Sequence, residues 1–170
     1  MILSILACSS SYEPNKPIGI IALGYVNAEY VDSIQVALER TYNRRIIFLG
    51  EKEIPKQYFI NIKSPRYRAD SIIKHLKNTK PDSIAHVLGF TKFDISTTKK
   101  DNKGSILKPE YKYKDWGVFG LGHMPGSSCV VSSHRLNHKD KATFISRLQK
   151  DSIHEIGHNM AYPIVIIKTV

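Results

Sequence analysis

Cysteine is nearly missing from this sequence. Cys8 and Cys129 are the only two among 170 residues, too few for a disulfide framework or a cysteine-built zinc knuckle, so stability has to come from packing. Beyond the N-terminus no stretch is long and apolar enough to span a bilayer. Internal repeats and low-complexity tracts are absent, which excludes solenoids and compositionally biased arrays. The glycine-rich stretch 117–126 lacks the following Lys-Ser or Lys-Thr pair of a phosphate loop, which argues against a nucleotide site. Acidic residues are the scarcer charge: 15 Asp and Glu face 25 Lys and Arg, a net charge of +10. Such an excess attracts acidic surfaces, anionic lipid or nucleic acid at long range. The basic residues are scattered (Arg44-Arg45, Arg66 and Arg68, Lys99-Lys100, then 108–114) with no aromatic-interleaved module, so they read as solvated surface and no nucleic-acid partner is expected.

What is present fits one globular domain. Hydrophobic residues make up 42% and charged residues 24%, and a chain of this length buries most of its apolar surface on folding. The expected division is 1–16 as a lipoprotein signal remnant and tether, and 17–170 as a single domain. The apolar run Ile2, Leu3, Ile5, Leu6 ends in Ala7-Cys8 and three serines, like the end of a bacterial lipoprotein signal. A lipid anchor on Cys8 would place the domain at the periplasmic or outer surface. The run is short and lacks preceding positive charge, so the alternative is a frayed apolar N-terminus on a cytoplasmic protein.

Along the chain the pattern is mixed. Ile18 to Leu23 is a continuous apolar run, the mark of a buried strand, and Gly24 ends it. Tyr30, Ile34, Leu38 and Tyr42 recur at helical spacing and predict an amphipathic helix over 28–42. Ile46 to Leu49 predicts a second buried strand, parallel to the first through a right-handed crossover. An extended piece is expected around 58–62, a helix over 66–77 (Ile72, Ile73, Leu76) and a third strand over 83–90. The polar, Lys-rich segment 91–114 reads as a long excursion from the core. Residues 115–122 and 127–133, across Pro125-Gly126, suggest a hairpin at the sheet edge. Glycines at alternate positions there would let something approach the backbone closely. A last long helix is expected over 140–160, with Phe144, Leu148 and Ile156 on its apolar side.

That helix carries the chemistry. His154 and His158 stand one turn apart on one face, so both imidazoles can reach one zinc ion. Glu155, next to the first of them, can take a proton from an attacking water and return it to a leaving amine. A bound zinc lowers the pKa of water to near neutrality, and the reaction class is peptide hydrolysis. Three other histidines, His123, His134 and His138, are candidates to complete the site from the hairpin region, or are ordinary loop residues. Cys129, in an expected strand, reads as a small apolar residue rather than a ligand. Trp116, Tyr111 and Tyr113 either line a groove or pack.

The run His154-Glu155-Ile156-Gly157-His158-Asn159-Met160, with Trp116-Gly117-Val118-Phe119-Gly120-Leu121-Gly122 and Ser128-Cys129-Val130-Val131-Ser132 before it, resembles the archaemetzincins, metzincin-related zinc peptidases, over roughly 17–160. The resemblance implies an α/β (α+β) fold: a metzincin-like mixed sheet with an antiparallel edge strand, packed on helices that include a long active-site helix. It also implies Zn2+ held by three histidines in the pattern H-E-x-x-H-x-x-G-x-x-H, a glutamate base, a peptide or protein substrate, later cysteines including a C-x-x-C, and a methionine beneath the metal. Here Ala161 stands at the glycine position, Ile164 at the third histidine, and the later cysteines are missing, which suggests a frameshift or premature stop. Ala161 followed by Tyr162-Pro163 can still break the helix, but isoleucine cannot ligate. Two readings follow: a metallopeptidase with an incomplete zinc site, or an inactive relic or binding protein of the same fold.

Overall fold

Ile18–Leu23 (β1) is apolar throughout and buried at every position, as a strand covered on both faces must be. The computed structural model describes residues 16–161, so the lipid-anchor reading of Cys8 and the third-ligand position at Ile164 lie outside the described residues. Next comes Ala28–Tyr42 (α1), opened by Asn27, whose side chain accepts from the Glu29 amide at 3.0 Å. It leads into Ile46–Lys52 (β2), parallel to β1. On the other side of β1 lies His86–Thr91 (β5), then Ser128–Ser132 (β9), both parallel, and last Gly120–Gly122 (β8), antiparallel to β9. The sheet order is β2-β1-β5-β9-β8, with an antiparallel strand at its edge as expected.

A second sheet joins Phe59–Asn61 (β3), Pro65–Arg68 (β4), Ile95–Thr97 (β6) and Trp116–Val118 (β7) in the order β3-β4-β6-β7. The sequence does not announce it, because its strands have only three or four residues each and short strands carry little periodicity. Tertiary pairing made the difference. Residues 66–68, expected as the first turn of a helix, belong to β4 and pair with β3 and β6, so Ala69–Thr79 (α2) starts later. The excursion 91–114 contributes β6 and the short helix Glu110–Tyr113 (α3). The expected hairpin strand 115–122 splits at Phe119, its first part pairing with β6 and its second with β9.

The last helix, Lys141–Asn159 (α4), packs with α1 on one face of the five-stranded sheet, around Ile34, Leu38, Leu88, Phe90, Leu148 and Ile156. Opposite them α2 covers the other face through Ile72, Ile73 and Leu76. Cys129 is fully buried in the first of these cores, and burial, with the charges of Glu155 and Asp151, pushes its thiol well up. It packs as an inert apolar residue. No helix among the described residues is long and apolar enough to cross a membrane.

Candidate active site

Asp140 starts the helix that carries the site. Its carboxylate accepts from Thr143 N at 2.7 Å and Thr143 Oγ1 at 2.6 Å, satisfying amides of the first turn. Farther along, Phe144, Leu148, Ser152 and Ile156 face the core. With that face fixed, helical periodicity brings His154 and His158 out together one turn apart. Their Nε2 atoms converge to 3.0 Å, with the rings nearly perpendicular at 84°. Tyr42 at the end of α1 anchors this stretch: its hydroxyl donates to the Ile153 carbonyl at 2.5 Å.

Glu155 points toward the sheet and is 6% exposed. It lies against the glycines of β8. A Cβ at Gly120 would stand 2.7 Å from Glu155 Cγ and 2.9 Å from its Oε1, and one at Gly122 would stand 3.1 Å from its Oε2. The close approach that alternate glycines imply is therefore made by the carboxylate itself. Gly120→Ala should force this side chain out of place and cost about 1–3 kcal/mol of stability, as overpacking does. Denaturant melts of the two proteins check this, and equal midpoints would mean that the strand yields freely. The far end of β8 is held to α4 as well, through Asn159 Nδ2 donating to the His123 carbonyl at 3.1 Å and the Gly126 amide donating to the Asn159 carbonyl at 3.0 Å.

One turn before Glu155 sits Asp151, which sequence reasoning passed over although its four-residue spacing from Glu155 puts both on one helix face. Its Oδ2 would lie 3.0 Å from a Cβ at Gly120, and that oxygen is buried with no hydrogen-bond partner among the described residues. Burial pushes the Asp151 carboxyl up to about 6. Burial first, and then the charge of Asp151, pushes Glu155 up to about 8. His154 is lowered by burial and by His158, which favours the neutral imidazole that binds metal.

For zinc the donor set fits in part. Two imidazole nitrogens at a tetrahedral ion, each about 2.0–2.1 Å from it, stand about 3.4 Å apart, close to the 3.0 Å seen between these two. A third protein ligand does not join them: no group of three or more His, Cys, Asp or Glu side chains able to hold a metal occurs among the described residues. His134 lines a cavity beside Asp94, His138 interacts with Asp140, and His123 meets α4 through its carbonyl. Beyond His158 the chain turns: the Ala161 amide donates to the His158 carbonyl at 3.1 Å, and Ala161 has φ 54°. The left-handed turn is thus kept at this position by an alanine, where glycine would adopt it without a Cβ penalty. Trp116 stacks on Tyr113 with ring centroids 5.4 Å apart, while Tyr111 is exposed.

Residues 19–164 match Peptidase family M54. The archaemetzincin of Halobacterium salinarum is 24% identical over 152 residues, spanning 84% of this chain and 78% of its own length. Among solved structures, the archaemetzincin of Methanopyrus kandleri superposes with a TM-score of 0.71 at 18% identity, covering 93% of this chain and 80% of its own. The zinc-dependent peptidase of Methanocorpusculum labreanum superposes with a TM-score of 0.59 at 18% identity, covering 88% and 84%. At these identities the superpositions establish the fold.

Proposed function

This chain belongs to Peptidase family M54, and from that premise we propose that it is a zinc metallopeptidase with an incomplete metal site: His154 and His158 hold the ion, Glu155 is the general base, and no histidine stands at the third position. The observation that carries this reading is the convergence of the two Nε2 atoms to 3.0 Å beside a carboxylate buried under the edge strand.

The chain's own residues supply most of a hydrolytic apparatus. β8 has β9 on one side only, so an extended peptide can add to its free edge through main-chain hydrogen bonds. That places a scissile bond over Glu155, which draws the proton from the attacking water and passes it to the leaving amine. Without metal Glu155 is raised to about 8, and a cation held by His154 and His158 would lower it toward the ionised form that a general base needs. A bound zinc would polarise the scissile carbonyl and acidify the attacking water. Two histidines alone make that ion easy to lose, since catalytic zinc normally has three protein ligands.

Metal analysis tests this directly. After dialysis the protein should retain far less than one zinc per chain. In excess zinc, slow cleavage of a casein-derived peptide should appear and should vanish in His158→Ala. One tightly held zinc per chain after dialysis would show that the site is complete, while zinc binding with no cleavage at any metal concentration would favour the binding-protein reading.

A further inference from the structure

Three residues before Gly120, which lies against Glu155, stands Gly117 in β7, about 10 Å of extended chain away at about 3.3 Å per residue. There the guanidinium of Arg135 packs directly on the Gly117 backbone, in the space that a Cβ would need. Beside it opens a cavity of about 230 Å3, walled by Lys63, Arg66, Lys112 and Arg135 and floored by Trp116 and Asp115. A larger hollow of about 740 Å3 shares Lys63 and Lys112 with it and adds Lys114, the exposed Tyr111, Ile62 and one acid, Glu110.

The charges are not balanced. Arg66 binds Asp94 at 2.8 Å and Asp115 at 3.2 Å, and Arg135 binds Asp94 at 2.7 Å and 2.9 Å. Four cationic side chains thus meet two carboxylates. Both arginines are held rigidly by those pairs while Arg135 keeps 32% of its side chain exposed, and Nη1 of Arg135 makes none of these bonds. Lys63 is tied to the Lys112 carbonyl at 2.7 Å, and the Lys112 ammonium lies 5.7 Å from the Trp116 ring centre. Lys99 approaches the same ring at 4.2 Å. Cations are gathered around an aromatic floor beside an open strand edge, which is the arrangement that receives a carboxylate side chain.

The geometry points to a specificity pocket for an acidic residue: a peptide laid along β8 places an Asp or Glu side chain, about three residues from the scissile bond, between Lys63, Lys112 and Arg135. This rests on the peptidase reading for the position of the scissile bond, and on the cavity alone for the recognition of acid. The substrate class it selects is acidic peptide.

Binding of short fluorescein-labelled, alanine-rich peptides to the full chain, measured by anisotropy at low salt, tests it without relying on turnover. The peptides differ only in where one Asp replaces Ala. Asp at one position, or at two adjoining ones, should tighten Kd by about tenfold, a difference that salt screens away. In Lys112→Glu the ratio of Ala-peptide to Asp-peptide Kd should fall to one or below, and Lys63→Glu, an independent exposed substitution, should move it the same way. No preferred position, no peptide binding, or a preference that survives both reversals would overturn the pocket. Lysine-dependent capture of the Asp peptide without cleavage in any zinc would remove the peptidase reading and leave the pocket standing. Cleavage with no acid preference would do the reverse.

Discussion

Glu155→Gln is expected to abolish peptidase turnover and, in the same protein, to make the metal-free fold more stable at neutral pH. The first effect follows from removing the proton acceptor, a loss of about 10²–10⁴-fold for a general base. The second follows from burial. Glu155 is pushed from its ordinary 4.5 up to about 8, by desolvation and then by Asp151, so the folded state holds a proton that the unfolded chain releases. Below 4.5 both states are protonated and nothing is lost. As pH rises from there toward 8, the unfolded chain gains by ionising and stability declines; above 8 the whole cost is present. At pH 7 this amounts to about 3 kcal/mol, taken at 1.36 kcal/mol per unit. Glutamine keeps the shape and removes the ionisation. Urea melts at several pH values should therefore show a stability of the parent protein that falls between pH 4.5 and 8 and a much flatter one in Glu155→Gln. Asp151, raised to about 6, leaves a residual slope at the acid end of that window. A parent protein equally stable at both ends would mean that the carboxylate is solvated rather than packed under β8. Zinc, by placing positive charge beside Glu155, should reduce the difference between the two proteins.

Placing a histidine at position 164, in the Ala161→Gly background, should tighten zinc binding about a hundredfold. Structural zinc sites built from four ligands are worth about 10–16 kcal/mol, or about 3 kcal/mol for each ligand, and 1.4 kcal/mol is tenfold in Kd. Ala161→Gly alone should leave zinc affinity where it is and raise stability by about 1 kcal/mol, because φ 54° is strained for alanine and open to glycine. Competition with a chromophoric chelator reads the affinities, and thermal melts read the stability. Unchanged zinc affinity in the double variant would mean that the chain after Ala161 does not bring position 164 back to His154 and His158.

Particular residues show where sequence reasoning stopped. Tyr30, Ile34 and Leu38 predict α1, and it runs over Ala28–Tyr42; the apolar run from Ile18 predicts β1, and it occupies Ile18–Leu23. Both patterns are repeated over enough residues to be read locally. β6 could not be found that way, since Ile95 is its one buried hydrophobic residue and its extended form comes from pairing with Tyr67-Arg68 and Val118-Gly117. Gly120 and Gly122 did signal a close approach, but not what approaches. That Asp151 shares the burial of Glu155 was implicit in helix spacing, yet two acids one turn apart usually face water, and only the position of β8 buries them.

The sequence by itself determined the chemistry at hand: two imidazoles and a carboxylate on one helix, brought into order by a period of 3.6 residues that needs no distant partner. It determined equally that Ile164 cannot ligate. Tertiary structure alone decided the acidity of Glu155, the burial of Asp151 and the gathering of Lys63, Lys112 and Arg135 beside the edge strand. Those depend on which segments, far apart in the chain, exclude water from one another, and desolvation and packing are properties of the assembled layers.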